Sequence, residues 1–127
     1  MRIKWDHIHL RSSDPDAAAA FYELHFGAAH RGRVANGDQL RVTVDLSGVL
    51  LFIDRAAEDA TTSAPPVKGI DHLAFTVQNL EEALAQLRHS NVEIISGPVE
   101  IKPGVKIAFV RAPDQVRIEL LERGEAA

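Results

Sequence analysis

The hydrophobic positions of the chain change spacing several times, between the alternation of a strand and the three-to-four spacing of a helix. Residues 3–10 alternate and are followed by Asp14-Pro15, an N-cap with proline at the first helical position. Gly27 stands where a C-terminal cap belongs. The pattern therefore predicts a strand and then a helix, whose apolar face carries Ala17, Ala20, Phe21 and Leu24.

Three strands are predicted after this helix. Asn36-Gly37 lies between two alternating runs, 33–35 and 40–42, and this dipeptide is typical of a type I′ hairpin turn, in which both central residues have positive φ. A third run, 49–54, follows Ser47-Gly48. The first half of the chain thus predicts the order strand, helix and three strands.

The second half repeats this order. Residues 70–77 form a strand pattern, and Asn79 with Glu82 makes a capping box for a helix. The apolar face of that helix is predicted to carry Leu80, Ala83, Leu84 and Leu87. The three strands that follow are predicted at 92–95, 106–111 and 116–121, with Gly97-Pro98, Pro103-Gly104 and Ala112-Pro113-Asp114 between them.

The two halves align with each other directly. An offset of 65 places Asp6-His7-Ile8 on Asp71-His72-Leu73, and an offset of 68 places Leu50–Arg55 on Ile118–Arg123. We therefore predict a tandem duplication within one α+β domain that spans residues 1–127. Its first module covers about 1–55, a linker rich in Ala, Thr, Ser and Pro covers 56–68, and the second module covers about 69–123.

Composition and charge exclude several classes of protein. The 127 residues include no cysteine, so a disulfide scaffold, a thiolate zinc site and a cysteine nucleophile are all excluded. The net charge is -4 and the basic residues form no stripe, so nucleic acid is not an expected partner. The apolar runs are too short to span a bilayer, and the first residues lack a signal-peptide core, so we expect a cytoplasmic protein without membrane contacts.

Strand alternation predicts which polar side chains point away from the helices. On that face lie His7, His9, His72 and Glu119. Two imidazoles and one carboxylate are ligands that a divalent first-row metal accepts, and three donors leave open positions for a substrate with two neighbouring oxygens. A strand histidine is more often an ordinary surface or core residue, and for each histidine that interpretation stays open.

At these residues the chain resembles the vicinal oxygen chelate superfamily. The superfamily comprises glyoxalases, extradiol dioxygenases, methylmalonyl-CoA epimerases, fosfomycin-resistance thiol transferases and bleomycin-resistance proteins. The resemblance covers essentially the whole chain. Its motifs are Asp6-His7-Ile8-His9-Leu10, Ser13-Asp14, Phe21-Tyr22-Glu23-Leu24-His25-Phe26-Gly27, Asp71-His72-Leu73-Ala74-Phe75 and Ala112-Pro113-Asp114-Gln115-Val116-Arg117-Ile118-Glu119-Leu120.

The resemblance implies two βαβββ modules in a curved, half-barrel mixed sheet, with helices outside and a divalent metal (iron, zinc, nickel, manganese or cobalt) inside. It assigns the metal to His7, His72 and Glu119, and a fourth ligand position falls on Leu51. Leucine neither binds metal nor moves a proton, which argues against lactoylglutathione lyase activity. Ile107 and Phe109, at positions where polar phosphonate-binding residues are expected, argue against fosfomycin as substrate.

Two functions are compatible with this resemblance. The first is a metal-dependent enzyme of the glyoxalase/dioxygenase type, a lyase or isomerase or an extradiol dioxygenase, with His9 as the proton carrier. The alternative is a non-catalytic protein of the bleomycin-resistance type, with an apolar groove formed by Trp5, Leu51 and Ile53. In both cases the partner is a small molecule and the chain is expected to form a homodimer.

Overall fold

The computed structural model describes residues 1–62 and 68–124. The described residues form two compact units, 1–62 and 68–124. Of the predicted linker, residues 63–67 lie outside the described residues, while residues 56–62 contain a turn and neither helix nor strand.

The first unit is a four-stranded mixed sheet with one helix packed against it. Its elements are β1 (His7–Ser12), α1 (Pro15–Phe26), β2 (Ala29–Asn36), β3 (Gln39–Leu46) and β4 (Val49–Arg55). The strand order is β1-β4-β3-β2, in which β1 runs parallel to β4 and the remaining pairs are antiparallel. Helix α1 packs mainly on β3 and β4, so one face of the sheet is covered and buried.

The second unit repeats this topology. Its elements are β5 (Leu73–Thr76), α2 (Leu80–His89), β6 (Ile94–Lys102), β7 (Val105–Arg111) and β8 (Arg117–Arg123), with a short 3-10 helix at Pro113–Gln115. The strand order is β5-β8-β7-β6, with β5 parallel to β8. The predicted α+β class and the tandem βαβββ modules are therefore confirmed.

The caps that the sequence predicted are present at both helices. The Asp14 side chain accepts a hydrogen bond from the backbone N–H of Ala17 at 3.1 Å, and Asn79 accepts one from Glu82 at 3.0 Å. Gly27 ends α1 with a φ of 69° in the left-handed region. These local signals fixed the helix ends because a cap is made by residues within one turn of each other.

The predicted apolar face of α2 is confirmed, whereas that of α1 is wrong. Leu80, Leu84 and Leu87 are all buried. In α1 the buried residues are Pro15, Ala18, Ala19 and Tyr22, and the side of the helix with Leu24 faces solvent. The run of alanines 17–20 gives α1 apolar residues on several sides, so packing on the sheet, rather than periodicity, chose the buried face.

The first hairpin turn lies one residue later than predicted. Asn36 pairs with Gln39, so the central residues are Gly37 and Asp38, and Gly37 has a φ of 61°. Two successive residues with positive φ occur instead between β3 and β4, at Ser47 and Gly48. There the Asp45 side chain accepts a hydrogen bond from the backbone N–H of Gly48 at 2.8 Å, which supports the tight turn.

Several strands have bounds that differ from the sequence pattern. Strand β6 continues through Gly97-Pro98 to Lys102, because it is the edge strand of its sheet and an edge position tolerates a proline. Strands β1 and β5 are shorter than predicted, beginning at His7 and Leu73. Residues 3–6 and 70–72 alternate in sequence but have no strand neighbour in their unit.

Candidate functional site

The second unit brings two of the three predicted ligands together. Strand β5 runs beside β8 with Ala74 opposite Glu119, so the Glu119 side chain points to the face away from α2. His72 stands one residue before β5, and its Nε2 atom lies 3.0 Å from Glu119 Oε1. The two side chains are 27% and 15% exposed, so the contact is shielded yet open on one side.

The other nitrogen of His72 is held by a second carboxylate. His72 Nδ1 lies 2.8 Å from Asp71 Oδ2, and Arg117 Nη1 donates to the same oxygen at 3.1 Å. The Arg117 guanidinium lies 4.6 Å from the centre of the Phe109 ring. Phe109 in turn meets the His72 ring edge to face at 5.0 Å. The imidazole is therefore restrained from three directions.

This donor set fits a divalent cation. An imidazole whose Nδ1 is bound to a carboxylate presents Nε2 as the ligating atom, which is the usual second contact of metal-binding histidines. Glu119 adds a carboxylate oxygen at the same point. Among the described residues of each unit, no three potential metal-binding side chains lie together. The second unit therefore supplies a pair of candidate ligands, and a third ligand is needed to complete a site.

The third predicted ligand, His7, has a similar local arrangement in the first unit. His7 Nδ1 lies 2.6 Å from Asp6 Oδ2. The His7 ring stacks on Phe52, with 3.9 Å between ring centres and 14° between planes. The Asp6 side chain is 87% exposed, so this contact is far less shielded than that between Asp71 and His72.

The strand register gives the position that corresponds to Glu119 in the first unit. His9 pairs with Phe52 in the same way as Ala74 pairs with Glu119, so Phe52 is the equivalent residue. The assignment of that position to Leu51 is wrong, because Leu51 is 1% exposed on the helix-covered face. The apolar runs that suggested the alignment are displaced by one residue, and a shift of one residue exchanges the two faces of a strand.

The predicted proton carrier, His9, is bound to a carboxylate that sequence reasoning missed. His9 Nε2 lies 2.8 Å from Asp54 Oδ2. Arg41 donates to both oxygens of Asp54, at 2.7 and 3.0 Å, and lies 4.7 Å from the centre of the Phe52 ring. Asp54 belongs to a distant strand, and only its alternation with Ile53 indicated that it shares a face with Phe52.

Arg41 changes the acidity of Asp54. Its hydrogen bonds hold the pKa of Asp54 below the ordinary value, His9 contributes in the same direction, and partial burial opposes them. Since the pKa of Asp54 is lower in the folded protein, the pair with Arg41 stabilises the fold at any pH above the ordinary pKa of an aspartate. This contribution is lost as the pH falls through the folded pKa.

We expect Arg41→Gln to lower the free energy of unfolding at pH 7. The difference from the wild type is expected to shrink as the pH falls below about 4, because Asp54 is then protonated in the unfolded chain and, at still lower pH, in the folded protein as well. Urea unfolding at a series of pH values measures this. The control is Arg11→Gln, since Arg11 lies opposite Asp54 on β1 but forms no ion pair with any described residue. A destabilisation of equal size at pH 7 and pH 3 would contradict the argument.

The apolar groove predicted for a binding protein is also corrected. Leu51 and Ile53 are 1% and 0% exposed, so both belong to the core of the first unit and neither lines a groove. Trp5 is 79% exposed and precedes β1. In the described residues no helix is long and apolar enough to cross a lipid bilayer.

Comparison with known proteins gives one family. A model of the glyoxalase/bleomycin resistance protein/dioxygenase superfamily matches residues 4–120. The uncharacterised protein YwkD from Bacillus subtilis is 28% identical over 123 residues, which is 92% of this chain and 94% of that protein.

Solved structures with the same fold include two bacterial proteins. A glyoxalase family protein from Enterococcus faecalis is 24% identical with a TM-score of 0.79, over 94% of this chain and 97% of that one. The fosfomycin resistance protein FosX from Listeria monocytogenes, solved with Mn(II) and sulfate, is 18% identical with a TM-score of 0.74. That match covers 98% of this chain and 96% of FosX.

Proposed function

Because this chain belongs to the glyoxalase/bleomycin resistance protein/dioxygenase superfamily, we propose that it is a metal-dependent enzyme. Its substrate is a small molecule that offers two adjacent oxygens, and the working form is a homodimer. The observation that carries the proposal is the contact of His72 Nε2 with Glu119 Oε1 at 3.0 Å, in which His72 is oriented by Asp71.

Three side chains of this chain hold the cation in the proposal: His72, Glu119 and His7. The Asp6 carboxylate occupies His7 Nδ1 and leaves Nε2 available, as Asp71 does for His72. A divalent cation bound by them acts as a Lewis acid towards the two substrate oxygens. Imidazole and carboxylate suit iron, zinc, nickel, manganese and cobalt, and FosX, which shares the fold, was solved with Mn(II).

His9 serves as the proton carrier in this proposal. Its Nε2 atom is bound to Asp54, which leaves Nδ1 to exchange a proton with a substrate. Asp54 is itself fixed by two hydrogen bonds from Arg41, so the ring of His9 is oriented before a substrate arrives. The ring centres of His7 and His9 are 6.4 Å apart, which brings the proton carrier close to a proposed ligand.

Metal content tests the proposal directly. The protein is purified without chelator, loaded with Mn²⁺, desalted and analysed by mass spectrometry. We expect about one ion per chain in the wild type and clearly less in Glu119→Ala and in His7→Gln, because each change removes a donor. Equal metal content in the wild type and Glu119→Ala would overturn the assignment.

Two variants control for general effects of substitution. Glu93→Ala removes a carboxylate that pairs with Arg111 on the protein surface, and its metal content should match the wild type. His9→Gln removes an imidazole two residues from His7 and should also retain metal, because His9 is assigned to proton transfer. Loss of metal in His9→Gln would make His9 a ligand instead.

The second candidate is a binding protein of the bleomycin-resistance type that works without metal. The observation in its favour is that Phe52, rather than a carboxylate, stands at the position equivalent to Glu119 and stacks on His7. The two functions differ in one respect that a binding assay measures. A compound that binds metal-free and metal-loaded protein equally well, and is not converted, would favour this second function.

A further inference from the structure

We infer that Arg117 is a positioning residue, which acts through Asp71 to hold His72 with its Nε2 atom towards Glu119. The inference rests on the proposed function, because it gives Arg117 a part in cation binding without any contact to the cation. Arg117 stands two residues before Glu119 in β8, so the two side chains share a face of the strand.

The first step of the argument is a shared oxygen atom. Asp71 Oδ2 accepts from Arg117 Nη1 at 3.1 Å and also contacts His72 Nδ1 at 2.8 Å. The Asp71 side chain is 44% exposed and lies before the first residue of β5, so its own surroundings restrain it little. Arg117 therefore fixes the oxygen that fixes the imidazole, and without it Asp71 regains rotational freedom.

The second step is the packing of the guanidinium. Arg117 lies 4.6 Å from the centre of the Phe109 ring, and the same ring contacts His72 at 5.0 Å. The Arg117 side chain is 24% exposed, so it is held between Phe109 and Asp71. A planar guanidinium can lie on the face of the ring and donate from its edge to the carboxylate, whereas an ammonium group has no flat face to stack.

The third step is the contrast with the first unit. Asp6 contacts His7 as Asp71 contacts His72, but no arginine bonds to Asp6 among the described residues. The arginine that stacks on Phe52, Arg41, pairs with Asp54. The carboxylate that orients His72 is therefore itself held by an arginine, Arg117, whereas the carboxylate that contacts His7 is not.

The positioning role and a simple electrostatic effect of Arg117 predict opposite changes in metal affinity. Arg117 is a cation close to the proposed cation site, so by Coulomb repulsion alone its removal would strengthen metal binding. A positioning role predicts the opposite, because a ring that turns freely loses affinity for the ion. The direction of the change therefore decides between the two.

Titration calorimetry with Mn²⁺ on the full chain tests the inference. We expect Asp71→Asn to weaken binding by about 10- to 100-fold and Arg117→Gln by about 10-fold, the range found for groups that orient metal ligands. The double variant should bind no more weakly than Asp71→Asn, because Arg117 acts through Asp71. Arg117→Lys keeps the charge and should still bind more weakly than the wild type.

The matched control is Arg111→Gln. Arg111 pairs with Arg117 across β7 and β8 but bonds to Glu93 and Gln115, so its loss removes a nearby charge without touching Asp71. Its affinity should equal that of the wild type or be a few-fold higher. Circular dichroism verifies that each variant is folded. If Arg117→Gln does not fold, the affinity of Arg117→Lys tests the inference instead.

The outcomes separate the two proposals. If the wild type binds Mn²⁺ and Arg117→Gln binds it as tightly or more tightly, the positioning role is wrong and the metal site stands. Additive losses in the double variant would also overturn the role, because the two residues would then act independently. If the wild type itself binds no Mn²⁺, the proposed function fails and the inference falls with it.

Discussion

Replacing Leu51 by glutamate is expected to lower the free energy of unfolding by about 4 kcal/mol or more. Leu51 is 1% exposed and lies in the register opposite Val44, which is 0% exposed, on the face that α1 covers. The change removes a packed leucine and buries a carboxylate without a partner, and both effects act in the same direction. Urea denaturation followed by circular dichroism measures the loss.

The neighbouring leucine provides the control. Leu50 precedes Leu51 on β4, has its side chain on the opposite face and is half-buried, so Leu50→Glu should cost less than about 1 kcal/mol. The two substitutions are chemically identical and differ only in the face of the strand. Equal destabilisation by both would show that the register of β4 is not the one described.

Replacing Phe52 by glutamate is expected to strengthen Mn²⁺ binding by about 10- to 100-fold. Phe52 is the equivalent of Glu119 by strand register and contacts His7 directly, with 3.9 Å between the ring centres. A carboxylate at this position would add a fourth donor beside His7, provided that His7 is a ligand. The fold should tolerate the change, because Phe52 is only half-buried and its strand position is open to solvent.

Titration calorimetry measures this effect, with Phe52→Leu as the control. Phe52→Leu removes the same aromatic ring but adds no donor, so its affinity should not exceed that of the wild type. A gain confined to Phe52→Glu would support both the register and the part of His7 in the site. Unchanged affinity in Phe52→Glu would exclude residue 52 from the surroundings of the cation and weaken the assignment of His7.

The features of the fold that the sequence predicted correctly depend on residues close together in the chain. The caps at Asp14 and Asn79, the end of α1 at Gly27 and the buried face of α2 were all predicted correctly. Each depends on residues within about one helical turn, so one window of sequence contains both partners of the interaction. The duplication likewise predicted that two βαβββ units follow one another.

The errors share a different cause. The equivalence of Leu51 with Glu119 failed because the residue types align best at an offset of 68, whereas the pairing of β1 with β4 and of β5 with β8 makes Phe52 the equivalent residue. The prediction of the buried face of α1 was wrong because its alanines give the helix several apolar sides. Contact with the sheet decides that the side with Tyr22 is buried. In both cases the deciding partner lies far away in the chain.

The candidate site shows the same division. The sequence by itself determined that His7, His9, His72 and Glu119 lie on the face away from the helices, because alternation along a strand assigns faces locally. Only the tertiary structure decided that His72 meets Glu119, that Arg117 reaches Asp71 and that Arg41 reaches Asp54. These contacts join residues that are distant along the chain, and strand register, which depends on the packing of a whole unit, brings them together.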